Sequence, residues 1–313
     1  MGAMDAIDFG NSKRFLVSGG TGFIGTALLR LLLQQGHTVT LLTRQPDKAR
    51  QRFDGQHASR LRCIASCSEL ATSDCFDVVV NLAGAPVVGP PWSAGRRKLL
   101  LASRLGTTRQ LLDQVQRAEH KPALWLQASA IGYYGSESAA SCDEFAAAGQ
   151  GFAADLCQRW EAQTAALPEL GVRRVVLRFG LVFGRDGGSF PPLALPFRFG
   201  LGCIIGSGEQ SLAWVHLHDV LGVMAWAVRH SELKGAFNLV GPELVSYRGF
   251  ARQLAGVLRR PLFLRVPQWL LHLLLGQMAT MLTQGPRILP RRLEEAGYQF
   301  RFATLEAALR DLT

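Results

Sequence analysis

Three glycines three residues apart, Gly19, Gly22 and Gly25, stand between a short apolar run beginning at Arg14 and an amphipathic stretch opening at Phe23. That order forces a strand to turn sharply and lay the start of a helix over its own end. Glycine lets the backbone come close to a bound group, and the free N–H groups and dipole at a helix start favour negative charge there. Within the stretch, Ile24, Ala27, Leu28, Leu31 and Leu32 recur at helical spacing, Arg30, Gln34 and Gln35 face away, and Gly36 is placed to end the helix. A second apolar run follows from Thr38, so the unit reads strand, helix, parallel strand.

Further strands are predicted at residues 61–65, 78–82, 123–128 and 174–179, with helical patterns between most of them. One helix is expected over about 96–118, with Leu101, Leu105, Thr108, Leu112 and Val115 on its apolar stripe, and another over about 152–166. The fold class is therefore α/β, a doubly wound parallel sheet of the Rossmann type. Past Phe179 the glycines and prolines of residues 183–212 predict a long irregular excursion on the substrate side. A strand at 213–216, a helix at 219–229, a strand at 236–240, a helix from near Ser246 and a closing amphipathic turn with Leu305, Ala308, Leu309 and Leu312 complete the reading. We expect a dinucleotide-binding domain over 13–240 and a smaller C-terminal substrate lobe over 241–313. The first ten residues lack the basic start and apolar stretch of a signal peptide, and the fold is read from Lys13 onward.

Composition excludes several classes of function. At 313 residues, 48% hydrophobic and 19% charged, the chain can bury a large core. Its six cysteines contain no C-x-x-C pair, which argues against a zinc finger or a disulfide framework and suits reduced thiols in a cytoplasm. The net charge of +10 raises the question of nucleic acid, since all but five of the 34 basic residues are arginine. They are spread evenly from Arg14 to Arg310, however, with no basic run interleaved with aromatics. We expect no nucleic-acid partner and no membrane span; the apolar run 269–275 is far shorter than the roughly 20 residues a span needs. A small-molecule substrate is the expected partner, and no motif sets the oligomeric state.

The end of the second strand speaks to the cofactor. A site selecting NAD presents Asp or Glu there to bond the ribose hydroxyls, whereas this chain has Thr43 and Arg44. A guanidinium can bind a 2′-phosphate through two charge-assisted hydrogen bonds, so the residues point to NADP. Lys48 and Arg50 lie close by as alternative surface charges.

Together GGTGFIG (19–25), NLAG (81–84), SAIGYYG (129–135), AWVHLHD (213–219) and FNLVGP (237–242) resemble the extended short-chain dehydrogenase/reductase superfamily. PFRFGLG (196–202), IIGSGEQSLAWVH (204–216) and LPRRLEEAGYQF (289–300) are similar to its atypical epimerase-family branch, the nucleoside-diphosphate-sugar epimerase-like proteins. The resemblance implies that Gly19, Thr21, Gly22, Phe23, Ile24 and Gly25 hold the cofactor pyrophosphate. It also implies that Leu82, Ala83 and Gly84 line its adenosine side, that Arg104 is a second basic contact to its phosphates, and that Gly180, Leu181 and Val182 pass beside the nicotinamide.

The chain also departs from that superfamily. A Tyr-x-x-x-Lys pair on the helix after the fifth strand ordinarily transfers a proton, the lysine lowering the tyrosine's pKa. Taking Glu161 as the glutamate that follows the motif places Ala153 in the tyrosine slot and Cys157 in the lysine slot. Replacement candidates are Tyr133 and Tyr134, with Ser129 orienting the substrate oxygen. His216, His218 and Asp219 have a spacing that could suit a metal, but the resemblance places a histidine and an aspartate there without one. No metal is expected. The leading expectation is an NADP(H)-dependent oxidoreductase or epimerase acting on a small polar substrate, nucleotide-sugars among the candidates. The alternative is an NADP(H)-binding module with little or no catalysis, serving a structural or redox-sensing role.

Overall fold

The computed structural model describes residues 7–55, 57–136, 141–275, 280 and 284–313. Seven strands form one sheet: β1 (Arg14–Ser18), β2 (Thr38–Leu42), β3 (Leu61–Ile64), β4 (Val78–Asn81), β5 (Leu124–Ala130), β6 (Arg173–Phe179) and β7 (Gly235–Leu239). Their spatial order is β7-β6-β5-β4-β1-β2-β3, and every neighbouring pair is parallel. The order reverses between β1 and β4, which opens a crevice at their carboxyl ends where ligands of such sheets bind. Near-continuous burial of β1, β2, β4 and β5 fits strands covered on both faces.

Helix α1 (Phe23–Gln34) buries Gly25, Leu28, Leu29, Leu32 and Leu33, whereas Ile24, Ala27 and Leu31 are only partly buried. The buried stripe is thus turned by about one residue from the periodicity, because Gly25 is the point of closest approach to the glycine turn. A similar shift affects the next long helix, α2 (Ala94–Arg117), which buries Leu100, Arg104, Thr108, Leu111 and Val115. Arg104 therefore lies on the inward face, where the apolar spacing had put Leu101 and Leu105. Helix α3 (Phe152–Gln163) packs beside α2.

Two readings are corrected. The segment before Lys13 belongs to the fold in part: residues 1–6 lie outside the described residues, but Phe9 is fully buried, edge-on to Phe15 and His37. Residues 183–212 are not irregular. They contain the second half of the strand Leu181–Gly184, its hairpin partner Gly187–Gly188, helix α4 (Phe190–Arg198) and the strand Gly202–Ile205, which pairs in parallel with Leu262–Val266. Pro191 and Pro192 occupy the first turn of α4, where helix N–H groups have no intrahelical partner, so they start a helix rather than break one.

A second apolar core gathers Phe183, Phe190, Phe197 and Trp214 with Tyr247, Phe250, Leu254, Leu305 and Leu309. Segments from both sides of residue 240 build it. Leu293, by contrast, packs into the main core against the sheet.

Candidate cofactor and substrate site

Each of the three loop glycines meets a different demand. Gly19 has φ +73°, and a Cβ there would lie 2.5 Å from the Leu82 carbonyl carbon, so the turn out of β1 presses on the exit of β4. At Gly25 a Cβ would overlap the Gly19 carbonyl oxygen, which seats α1 against the turn. Gly22 differs: it is exposed, and the nearest atom to a Cβ there is the Gly19 oxygen at 3.2 Å. The protein's own packing asks for glycine at 19 and 25, whereas at 22 the bare backbone faces the crevice. Thr21 is exposed beside it, and Arg52 Nη1 donates to the Thr21 carbonyl at 2.8 Å. Arg52 is a crevice residue that the sequence reading missed. The ring of Phe23 lies against Gly184, Gly187 and Gly188, linking the turn to the second lobe, while Ile24 packs on the main core.

At the end of β2, Thr43 is half-buried and its N–H donates to the Ile64 carbonyl. Arg44 is exposed and pairs with no carboxylate among the described residues. Arg50 is already engaged, with Asp47 at 2.6 Å and the Cys63 carbonyl at 3.1 Å. Of these two arginines, only Arg44 is left to meet an anion.

Leu82 and Ala83 are half-buried at the crevice wall, and a Cβ on Gly84 would come within 2.9 Å of the Arg104 guanidinium. Arg104 is 8% exposed, donates to the Leu100 carbonyl at 3.2 Å and lies 5.1 Å from the centroid of the Trp160 ring. No carboxylate pairs with it among the described residues, and burial pulls its pKa down. A buried guanidinium without an acid is costly, and a bound phosphate would offset that cost. On the far wall the Gly180 N–H bonds Leu239, the Leu181 N–H bonds Ala213, and Val182 packs into the main core. At Leu181 and Val182 the placement serves strand pairing and packing.

Beneath the exit of β5 runs a buried polar chain. Ser129 Oγ donates to Glu161 Oε1 at 2.6 Å, and Arg178 holds both Glu161 oxygens at 2.9 Å. Arg178 Nη1 also donates to Tyr134 Oη at 2.9 Å, and that hydroxyl donates to Asn238 Oδ1 at 2.7 Å. Tyr134 is 3% exposed, and burial pushes its pKa up to about 12. With both hydrogen-bonding roles used inside the protein, it ties β5 to β7 rather than offering a proton to a ligand. Ser129 likewise spends its proton on Glu161. Tyr133 is only half-buried, with the Arg178 guanidinium 3.5 Å from its ring centroid. Of the three candidates it alone keeps a hydroxyl outside this chain of bonds. Sequence reading missed Arg178, because an arginine in an apolar strand gives no sign of its partner.

Ala153 and Cys157 lie together beside the turn that follows β5. A Cβ on Gly132 would meet Ala153 Cβ at 3.3 Å and Cys157 Sγ at 3.8 Å, so both face the exit of β5. Burial raises the Cys157 thiol to about 11, which keeps it protonated. His216 accepts from the His218 N–H and lies tilted against Phe302 with ring centroids 3.9 Å apart, and burial lowers it to about 4. Asp219 accepts from the N–H groups of Arg301 and Phe302, anchoring the C-terminal segment. Among the described residues no three His, Cys, Asp or Glu side chains converge as a metal site.

Residues 15–240 match the NAD dependent epimerase/dehydratase family, and 266–312 match a domain of unknown function, DUF1731. The chain belongs to the NAD dependent epimerase/dehydratase family. Within this epimerase family it is similar to the epimerase family protein SDR39U1 of Mus musculus, 38% identical over 305 residues covering 96% of this chain and 99% of that protein. The epimerase family protein YfhF of Bacillus subtilis is 32% identical over 301 residues, covering 95% and 96%. A crystal structure of human SDR39U1 with NADPH superposes with a TM-score of 0.85 at 37% identity, covering 96% of this chain and 98% of that one. No helix among the described residues is long and apolar enough to cross a membrane.

Proposed function

We propose that this epimerase-family chain binds NADP(H) across the carboxyl ends of β1, β2 and β4 and reduces a small polar substrate held between the sheet and the second lobe. The observation that carries the reading is Arg104, a buried guanidinium beside Gly84 with no carboxylate partner among the described residues. Gly22 would admit the pyrophosphate, Arg104 a phosphate and Arg44 the 2′-phosphate. The NADPH held by the human relative supports the same cofactor here. When bound, the cofactor supplies hydride transfer.

Arg44→Ala is expected to weaken NADPH about tenfold to a hundredfold, as loss of a charge-assisted pair of about 1.5–3 kcal/mol implies, while NADH affinity barely moves. Fluorescence titration with both nucleotides measures this, and equal losses would remove Arg44 from 2′-phosphate recognition.

Tyr133 is the proton donor in this reading. A phenol can act as a general acid while protonated, which favours carbonyl reduction over oxidation at neutral pH. Once NADPH consumption identifies a reducible substrate, Tyr133→Phe should lower turnover about a hundredfold or more with NADPH affinity intact. Tyr134→Phe should instead lower the unfolding midpoint. Full activity in Tyr133→Phe would remove that residue from the chemistry.

A second reading has its own support. The resemblance assigns the superfamily's acid and lysine positions to Ala153 and Cys157; alanine has no proton to give, and the Cys157 thiol is buried. Tight NADPH binding with no reducible substrate would favour a cofactor-binding module in a structural or redox-sensing role.

A further inference from the structure

We propose that Arg96, Trp92 and Phe152 form the recognition site for a small substrate carrying an anionic group next to a flat ring, at the outer mouth of the cofactor crevice. This rests on the cofactor reading above and names the substrate class of the same site.

Arg96 and Arg104 lie eight residues apart on α2, about 12 Å along the helix, and both face the segment leaving β4. Arg104 meets it at Gly84, whereas Arg96 Nη2 donates to the Pro86 carbonyl at 2.5 Å and lies near Gly89. Neither pairs with a carboxylate among the described residues, and Arg96 adds to the lowering of Arg104's pKa. The Arg96 Nε is buried without a hydrogen-bond partner. Two guanidiniums along one helix edge without an acid call for anions in two places.

Geometry assigns those anions to different molecules. Arg104 adjoins the glycine turn, since Gly19 presses on Leu82 and Ala83, and Gly84 is the next residue. Arg96 sits about two helical turns further out, beyond the carboxyl ends of the strands. There Trp92 lies edge-on to Phe152 at 5.1 Å, and the Trp92 Nε1 donates to the Val87 carbonyl at 3.1 Å. Arg97 braces the pair, donating to the Trp92 carbonyl and lying 5.2 Å from the Phe152 ring centroid. Phe152 begins α3 immediately before Ala153, which adjoins Gly132 past the end of β5. An anion on Arg96 would therefore place a ring against the aromatic pair, next to the corner that holds Tyr133.

Calorimetry on NADPH-saturated protein tests this with 1-naphthyl phosphate and 1-naphthoate as probes, and with inorganic phosphate and 1-naphthol as their halves. At least one naphthyl anion should bind saturably and more tightly than either half. Which of the two binds tighter separates a phosphate from a carboxylate substrate. Arg96→Gln should weaken that probe about tenfold or more, with Arg96→Lys retaining most of the affinity. Trp92→Ala should weaken the naphthyl anion and leave inorganic phosphate unchanged, and all three variants should keep wild-type NADPH affinity. Competition between probe and NADPH, wild-type probe affinity in Arg96→Gln, or no probe binding would each overturn the proposal. If NADPH itself does not bind, the cofactor reading fails separately, and the same comparison of Arg96→Gln with wild type is made without nucleotide.

Discussion

Glu161→Leu is expected to destabilise the protein by about 3–5 kcal/mol, the usual consequence of stranding one partner of a buried ion pair. Glu161 is nearly buried and is the only carboxylate paired with Arg178 among the described residues, and Arg178 holds both of its oxygens at 2.9 Å. Removing it would leave a guanidinium inside the fold without a counter-charge and Ser129 Oγ without its acceptor. Arg178→Met alone would strand the carboxylate in the same way, whereas the double variant Glu161→Leu with Arg178→Met removes both charges. That double variant should recover much of the loss, since replacing a whole buried pair by apolar side chains is often neutral. Denaturant unfolding of the three variants measures the effect. A single variant within about 1 kcal/mol of wild type would show that the pair does not hold the corner together.

Gly22→Val is expected to leave a folded protein that no longer binds NADPH, with a loss of about a hundredfold or more. A Cβ at position 22 meets no protein atom closer than the Gly19 oxygen at 3.2 Å, and the residue is exposed, so α1 can still seat on the sheet. The larger side chain would instead occupy the space where a pyrophosphate meets the helix start. Gly25→Val is the control: its Cβ would overlap the Gly19 carbonyl and should lower the unfolding midpoint. Circular dichroism and nucleotide titration of the two variants separate these effects. Undiminished NADPH binding by folded Gly22→Val would remove the glycine turn from the cofactor site.

The glycine turn, the parallel strands and the place of Arg44 at the end of β2 were legible because their signals are local. Spacing of three glycines, an apolar run on each side and a basic residue at a strand end all fall within about 30 residues, and the backbone geometry they impose hardly depends on the rest of the chain. The same locality misled the reading of 183–212, where the glycines and prolines predicted an irregular excursion but Pro191 and Pro192 begin α4. Proline's effect depends on whether the helix starts before or after it, and that start is set by Phe190 and Phe197 packing into the second core.

What tertiary structure alone decided are the roles of the charged and hydroxyl-bearing side chains. The apolar spacing of α2 put Leu101 and Leu105 inward, and the fold instead buries Leu100 and Arg104, setting a guanidinium inside the protein beside Gly84. Tyr133 and Tyr134 are neighbours of one type, yet one lies half-buried under Arg178 and the other gives its hydroxyl to Asn238, a residue 104 positions away. Glu161, on α3, was visible only as the landmark that follows the superfamily's Tyr-x-x-x-Lys motif until Ser129 of β5 and Arg178 of β6 converged on it. Sequence patterns specify backbone path because hydrophobic periodicity and turn chemistry act over a few residues. The partner of a buried polar group lies across the sheet, and its identity is settled only when distant segments close around it.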